Sequence, residues 1–173
     1  MKESLKIGMF IGKFLPPHIG HTNQIKKSLS KVDFLYVIVA DSKERTNELC
    51  KEAGIDPIDI TVRANWLKTH FEKDKNIEIL TLDQGMLEAF PNELDNWKNK
   101  LETLVKNKVK YWFVDNNYLE ISKKYFPEYE FIGFDRSEIN ISASQVRDDL
   151  GGNIKYIIPE AKEYFLSILN SKS

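Results

Sequence analysis

The chain has 173 residues, with 25 Lys plus Arg against 26 Asp plus Glu and a formal charge of −1. That length fits one domain, and the near-balance of charge gives no electrostatic reason to expect a nucleic acid or an anionic membrane as main partner. Hydrophobic residues make up 42%, enough for a real core and against global disorder, and no run approaches the ~18 apolar residues of a membrane span.

Lys6 to Gly12 reads as a buried strand rich in Ile, Met and Phe. The apolar run continues to Leu15 but is cut by Lys13 and lacks an A-x-A-like cleavage site, so no signal peptide is expected. A turn-rich stretch with Pro16 and Pro17 follows, then a helix over His21 to Leu29. Phe34 to Ala40 is a second strand, apolar at every position, as befits a strand covered on both faces. Asp41 to Asp56 is polar and reads as a loop with some helix; it holds the single cysteine, Cys50, which excludes an intramolecular disulfide, fits a reducing cytoplasm and reads as inert.

Pro57 to Phe71 has helical spacing, with Ile60, Ala64, Leu67 and Phe71 on one side. Ile77 to Leu82 is a third strand, and Asn92 to Lys106 a helix carrying Leu94, Trp97, Leu101, Leu104 and Val105. Tyr111 to Asp115 and Glu130 to Phe134 are strands separated by a short helix, Tyr118 to Tyr125. Ser142 begins another helix, and Pro159, at a favourable first-turn position, opens a last one to about Leu169. Strands alternating with helices predict an α/β fold: a Rossmann-like open parallel sheet of five strands with helices on both faces, forming one domain over residues 1–173. In such a sheet a ligand sits beyond the carboxyl ends of the strands, near the topological switch point.

Two segments stand where such a fold puts phosphate-binding loops. The first is Gly12-Lys13-Phe14-Leu15-Pro16-Pro17-His18-Ile19-Gly20-His21, between the first strand and its helix. A helix N-terminus offers unpaired N–H groups and partial positive charge. Gly12 allows close backbone approach, Gly20 lets both imidazoles face the same oxygen atoms, and Lys13 adds a flexible cation. The loop is neither G-x-G-x-x-G nor a Walker A sequence, so P-loop kinase or ATPase chemistry has no support. The second is Asp135-Arg136-Ser137-Glu138-Ile139-Asn140-Ile141-Ser142-Ala143-Ser144-Gln145-Val146-Arg147. Ser142 with Gln145 makes an S-x-x-Q capping box, and Ile141 with Val146 a hydrophobic staple, so Ser142 is explained by a helix start alone. Arg147 is not: placed in the first turn, its charge opposes the helix dipole, and it makes sense if an anion shared with Ser144 sits there. Together the two segments suit a polyphosphate such as a nucleoside triphosphate.

His18-Ile19-Gly20-His21 and Ile141-Ser142-Ala143-Ser144-Gln145-Val146-Arg147 resemble the H-x-G-H and I-S-x-S-x-x-R signatures of the nucleotidyltransferase superfamily. Further stretches look like the nicotinamide mononucleotide (NMN) adenylyltransferase domain of NadR-type proteins: Gly12-Lys13-Phe14, Val62 to Leu67, Gly85-Met86 with Pro91 and Asp95-Asn96-Trp97, and Tyr156 to Pro159. The resemblance covers nearly the whole chain and implies a nucleotidyltransferase fold. The implied reaction is attack of the NMN phosphate on the α-phosphate of ATP, giving NAD and pyrophosphate, with Mg2+ held mainly by the ATP phosphates. It extends to neither kinase activity nor DNA-linked regulation.

Residue by residue, the resemblance implies that His18 and His21 donate to phosphate oxygens and that Lys13 and Arg147 hold the triphosphate and leaving pyrophosphate. Gly12, Phe14, Gly20, Ile141, Ser142 and Ser144 would complete the ATP and phosphate site, with no protein metal site. Trp97, Arg63 and Asp41 are the candidates for NMN binding: Trp97 either stacks on the nicotinamide or packs in its helix's apolar stripe, Arg63 either contacts ligand phosphate or neutralises its neighbours, and Asp41 sits just after the second strand, on the rim where ligand groups are read. Trp66 and Trp112 read as core. Lys98, Lys100, Lys106, Lys108 and Lys110 read as a solvated face rather than a nucleic-acid patch. The signatures serve equally a cytidylyltransferase or a pantetheine-phosphate adenylyltransferase, and a non-catalytic nucleotide sensor is a third reading. Related enzymes are often homo-oligomers.

Overall fold

A strand with apolar residues on both sides of its pleat must be covered on both faces, and its side chains then sort by parity. In the computed structural model, which describes residues 3–85, 92–105, 109–136 and 138–172, the strands do this. They are β1 (Ile7–Gly12), β2 (Phe34–Asp41), β3 (Ile77–Asp83), β4 (Tyr111–Asp115) and β5 (Glu130–Phe134). All pair in parallel, in the order β3-β2-β1-β4-β5. Phe10, Leu35, Val37, Val39 and Phe113 join one buried cluster, while Met9, Tyr36, Ile38 and Trp112 join another. Around the sheet lie α1 (Ile19–Leu29), α2 (Lys43–Glu52), α3 (Ile60–His70), α4 (Leu94–Leu104), α5 (Leu119–Tyr125), α6 (Ala143–Asp148), α7 (Leu150–Asn153) and α8 (Pro159–Ser171). Ile25 of α1, Ala64 and Leu67 of α3 and Phe165 of α8 fill the first cluster; Trp97 and Leu101 of α4 fill the second.

The predicted α/β architecture holds, with one local difference. Residues 43–52, read as a loop with some helix, form the ten-residue helix α2. Its only buried positions are Thr46 and Cys50, one turn apart, with Leu49 partly buried beside them, a stripe too narrow to show as apolar periodicity. In the sheet, β4 lies between β1 and β5, so the segment after β5 must reach across β4 to meet the β1–α1 loop. Met86, Pro91, Lys106, Lys108 and Ser137 lie outside the described residues. Lys98 and Lys110 face Glu128 and Glu130 at 3.3 and 3.5 Å, and Lys100 donates to the Asp83 carbonyl, so these lysines are locally paired. No helix among the described residues is long and apolar enough to cross a membrane.

The strand order sets the site. The chain runs outward from β1 to β2 and β3, then crosses to β4 on the other flank of β1. Loops leaving β1 and β4 therefore part in opposite directions and open a crevice at their carboxyl ends. The β1–α1 loop bordering it is tied down by distant residues. Arg63, on α3 and fully buried, donates through Nη1 to the Lys13 carbonyl (2.8 Å) and through Nη2 to Asp41 Oδ1 (2.7 Å). Thr46 Oγ1 donates to the same Asp41 oxygen. Arg147 Nη1 donates to the Leu15 carbonyl (2.6 Å), and the Ile158 N–H to the Pro17 carbonyl (3.2 Å). The Tyr156 to Pro159 stretch is thus a strap, with Ile157 bridged to His18.

Removing one partner of a buried ion pair strands the other charge. Arg63→Met is expected to cost roughly 3–5 kcal/mol in urea unfolding, and Arg63→Met with Asp41→Asn to recover a substantial part of it. Equal losses in the single and double variants would show that the pair carries no such coupling.

Candidate active site

The β1–α1 loop begins with a residue in a costly conformation. Phe14 has φ +53°, a left-handed backbone that costs a non-glycine residue about 1–2 kcal/mol. Its buried ring meets His21 edge-on, 4.7 Å between centroids. A Cβ on Gly12 would lie 3.2 Å from that ring, which is the local reason for glycine there. Phe14 therefore supports the site from behind and is absent from the cavity lining.

Helix α1 then starts two residues earlier than its periodicity suggests, because His18 caps it. His18 Nδ1 accepts from the backbone N–H of Gly20 (3.1 Å) and of His21 (3.4 Å), and His21 Nδ1 accepts from the His18 N–H (3.2 Å). This is a capping box in which two imidazoles replace the usual hydroxyl and carboxylate. The rings stack with centroids 3.7 Å apart. A Cβ on Gly20 would fall 2.9 Å from the His18 ring, so glycine lets that ring lie over the first turn. Two of the N–H groups expected to face a phosphate are consumed by the cap. The available donors are on the rings instead. Each Nδ1 is an acceptor, so a neutral ring carries its proton on Nε2. Burial, reinforced by the Arg136 charge, lowers His18 to about 4. Burial, the neighbouring His18 and Arg136 hold His21 well below its ordinary value. Both rings are neutral at pH 7, each with an Nε2–H to donate.

These rings border a cavity of about 610 Å³ in the crevice. Its wall brings together Gly12, Lys13, His18, Gly20, His21, Ile141, Ser142 and Ser144 from the two signature segments. The α6 capping box read from the sequence is present: Ser142 Oγ accepts from the Gln145 N–H (3.2 Å), and Gln145 Oε1 accepts from the Ser142 N–H (2.8 Å). The Ser142 hydroxyl proton stays free to be donated. An aromatic part of the wall comprises Trp97, Trp112 and Phe126. Trp97 is both core and wall: its indole is parallel to that of Trp112 at 6.2 Å, Phe126 meets it edge-on, and its buried Nε1–H has no hydrogen-bond partner among the described residues. Trp112, read as core, is buried and also on the wall, whereas Trp66 packs against Tyr164 and Phe165.

Four predicted site residues lie elsewhere. Phe14 is behind His21, and Arg63 and Asp41 form the buried pair behind the loop, so neither of that pair lines the cavity. Arg147 lies in the last turn of the six-residue α6, not the first, so the dipole argument for it does not apply. It joins Ser144 Oγ (3.2 Å) to the Leu15 carbonyl, clasping α6 to the β1–α1 loop. Lys13 faces an excess of cations. Burial lowers its pKa first; Asp41 opposes this, while Arg63, Arg45 and Arg147 add to it. A polyanion would relieve that imbalance. Sequence reading passed over Arg45, and also Asp115 and Arg136, which pair on the cavity wall. Nothing local marks either as special; only the pairing of β4 with β5 brings them together. Among the described residues no group of His, Cys, Asp and Glu could hold a metal ion.

The chain is 28% identical over 175 residues to the trifunctional NAD biosynthesis/regulator protein NadR of Salmonella typhimurium, a match covering 95% of this chain and 42% of that protein. It is 28% identical over 162 residues to the phosphopantetheine adenylyltransferase of Wigglesworthia glossinidia brevipalpis, covering 90% and 87%. A crystal structure of NadR in complex with NR superposes with a TM-score of 0.69 at 26% identity, over 91% of this chain and 45% of that one. The chain thus spans under half the length of the NadR proteins it matches. A family model described as cytidylyltransferase-like matches residues 9–149, a span holding both signature segments and the whole lining of the cavity, and the chain belongs to that family within the nucleotidyltransferase superfamily.

Proposed function

We propose that the chain catalyses adenylyl transfer from ATP to NMN, giving NAD and pyrophosphate. The observation that carries this reading is the reciprocal histidine cap. It presents two neutral Nε2–H donors beside Lys13, Ser142 and Ser144 on a cavity that also has an aromatic wall. Neutral imidazoles protonated at Nε2 cannot take a proton there, and this chemistry needs no general base. A phosphate oxygen of NMN attacks the α-phosphorus of ATP, the bond from that phosphorus to the β-bridging oxygen breaks, and pyrophosphate leaves with the electron pair. The protein aligns the two phosphates and stabilises the charge spreading over the equatorial oxygens. His18 and His21 donate to those oxygens, Lys13 supplies a mobile cation, and the Ser142 and Ser144 hydroxyls complete the cradle. Arg147 holds the walls of that cradle together and is in reach of the leaving pyrophosphate through Ser144.

Asp41 and Asp115 are both engaged by arginines, so Mg2+ in this reading is carried by the triphosphate, as its preference for phosphate oxygens and retained waters favours. NMN as acceptor is supported by the NadR relatives and by Trp97, whose unpaired Nε1–H would gain a partner in an oxygen of a carboxamide. The match to phosphopantetheine adenylyltransferase over 87% of its length favours a second reading, with the same phosphate machinery and a different acceptor.

Pyrophosphate release from Mg-ATP with NMN, nicotinate mononucleotide, phosphopantetheine and glycerol 3-phosphate, with CTP in parallel, tests the choice. Release specific to NMN is expected; release with phosphopantetheine alone would select the second reading. His21→Ala is expected to lower kcat by roughly 10²-fold or more, as for a lost transition-state donor. The fold should persist, since a lost helix cap costs only about 1 kcal/mol. Near-normal turnover would remove His21 from the site. His18 gives a pH signature. Its folded pKa of about 4 lies below the ordinary 6.5. The unfolded chain therefore binds more protons between those values, and stability should fall as pH drops from about 6.5 towards 4. A bound polyphosphate should raise the His18 pKa, read from its ring-proton NMR shift, and should restore stability in that window.

A further inference from the structure

The proposed mechanism leaves one charged pair on the cavity wall unused. Asp115 ends β4 and is buried at 6% exposure. Its Oδ1 accepts from the Asn117 N–H (2.8 Å), which fixes the carboxylate, and its Oδ2 is in ion-pair contact with Arg136 Nε but accepts no aligned hydrogen bond among the described residues. Arg136 follows β5, and its side chain is 49% exposed. Its two Nη nitrogens have no hydrogen-bond partner among the described residues, and it lines the same cavity as His18, His21 and Ser142. Its charge is felt at both histidines, where it opposes protonation. An arginine that served only to neutralise Asp115 would pair with it at two points, through both Nη groups or through Nε and one Nη. Here the carboxylate touches Nε alone and without an aligned hydrogen bond, and both Nη groups are left for something else.

We propose that Arg136 is a phosphate-contacting residue of this site, aimed at the same oxygens as His18 and His21, and that Asp115 is the positioning residue that holds it there. The inference rests on the reading of the cavity as a nucleoside polyphosphate site. In its terms Arg136 supplies the charge that two neutral imidazoles cannot. The charge of Asp115 holds the guanidinium at its Nε side, so that the Nη fork approaches the phosphates with little reorganisation. Because Arg136 is aligned beforehand, it acts most on the oxygens of the reacting phosphorus, where charge develops.

The test uses the intact chain and three variants, Arg136→Gln, Arg136→Lys and Asp115→Asn. Calorimetric titration with inorganic tripolyphosphate requires no acceptor. Arg136→Gln should weaken binding by roughly tenfold or more, the scale of one charge-assisted hydrogen bond, with an unchanged melting temperature. Arg136→Lys should recover part of the loss. The His18 pKa should rise in Arg136→Gln, because a cation that opposes its protonation is gone. Asp115→Asn should leave KM for ATP within a few-fold and lower kcat, since the cation remains but its aim is lost. Unchanged tripolyphosphate binding together with an unmoved His18 titration in Arg136→Gln would overturn the proposal. An unchanged kcat in Asp115→Asn would overturn the positioning role. If the wild-type chain binds tripolyphosphate but transfers to no acceptor, the assigned reaction fails while the binding and titration arms still decide on Arg136.

Discussion

The site depends on two histidines that bind each other's backbone. With Nδ1 of His18 and of His21 both accepting from main-chain N–H groups, three matters are settled at once. Helix α1 has its start, the rings have their orientation, and the proton of each neutral ring has its place on Nε2. An ordinary serine cap would satisfy the same backbone groups and offer nothing further. The imidazole cap converts backbone donors of the helix terminus into side-chain donors that project into the crevice. This explains why glycine lies between them: Gly20 is where the His18 ring rests.

That arrangement would be loose if the loop before it were loose. The loop is instead gripped at Lys13 by Arg63, at Leu15 by Arg147 and at Pro17 by the strap after α7. These ties come from residues 50 to about 140 positions away in sequence, so the loop is fixed only when the whole domain is folded. The left-handed Phe14 fits this account. A residue in that conformation persists only where its surroundings overdetermine it, and Phe14 is buried against Phe10 and His21 at one of the best-tied points of the molecule. Much of what resembles ligand-binding chemistry in the sequence is, in space, support for it: Arg63 and Asp41 shape the site by holding the loop.

The sheet was legible because its signals are local. Strand parity, β-branched content and the alternation with helical spacing recur in the fold, and β4 and β5 occupy the residues read for them. The Ser142 capping box was legible for the same reason, since all its partners lie within four residues. What escaped was non-local or faint. Helix α2 shows too few apolar residues to declare its period. Arg147 reads as a first-turn cation in sequence, but it is the fifth residue of a six-residue helix, and the same side chain becomes a clasp. Asp115 and Arg136 are unremarkable in sequence and meaningful only once β4 and β5 lie side by side.

On the proposed reading, the electrostatics of the cavity follow a single constraint, which is to receive several negative charges without being unstable before they arrive. Clustered free cations in a partly buried cavity would repel one another and weaken the fold. The chain meets this by division. The donors nearest the helix are neutral rings, kept so by burial and by nearby positive charge. The permanent cations Arg63 and Arg136 each have a carboxylate in contact. Arg147 is held by a carbonyl and a hydroxyl. Lys13 stands among the arginines with its pKa drawn down, first by burial and then by their charges. Under the proposed function, a triphosphate entering this cavity would meet donors already aligned and gain little from inducing a new arrangement. Such preorganisation is what favours a charge-developing transition state over a ground state bound equally well.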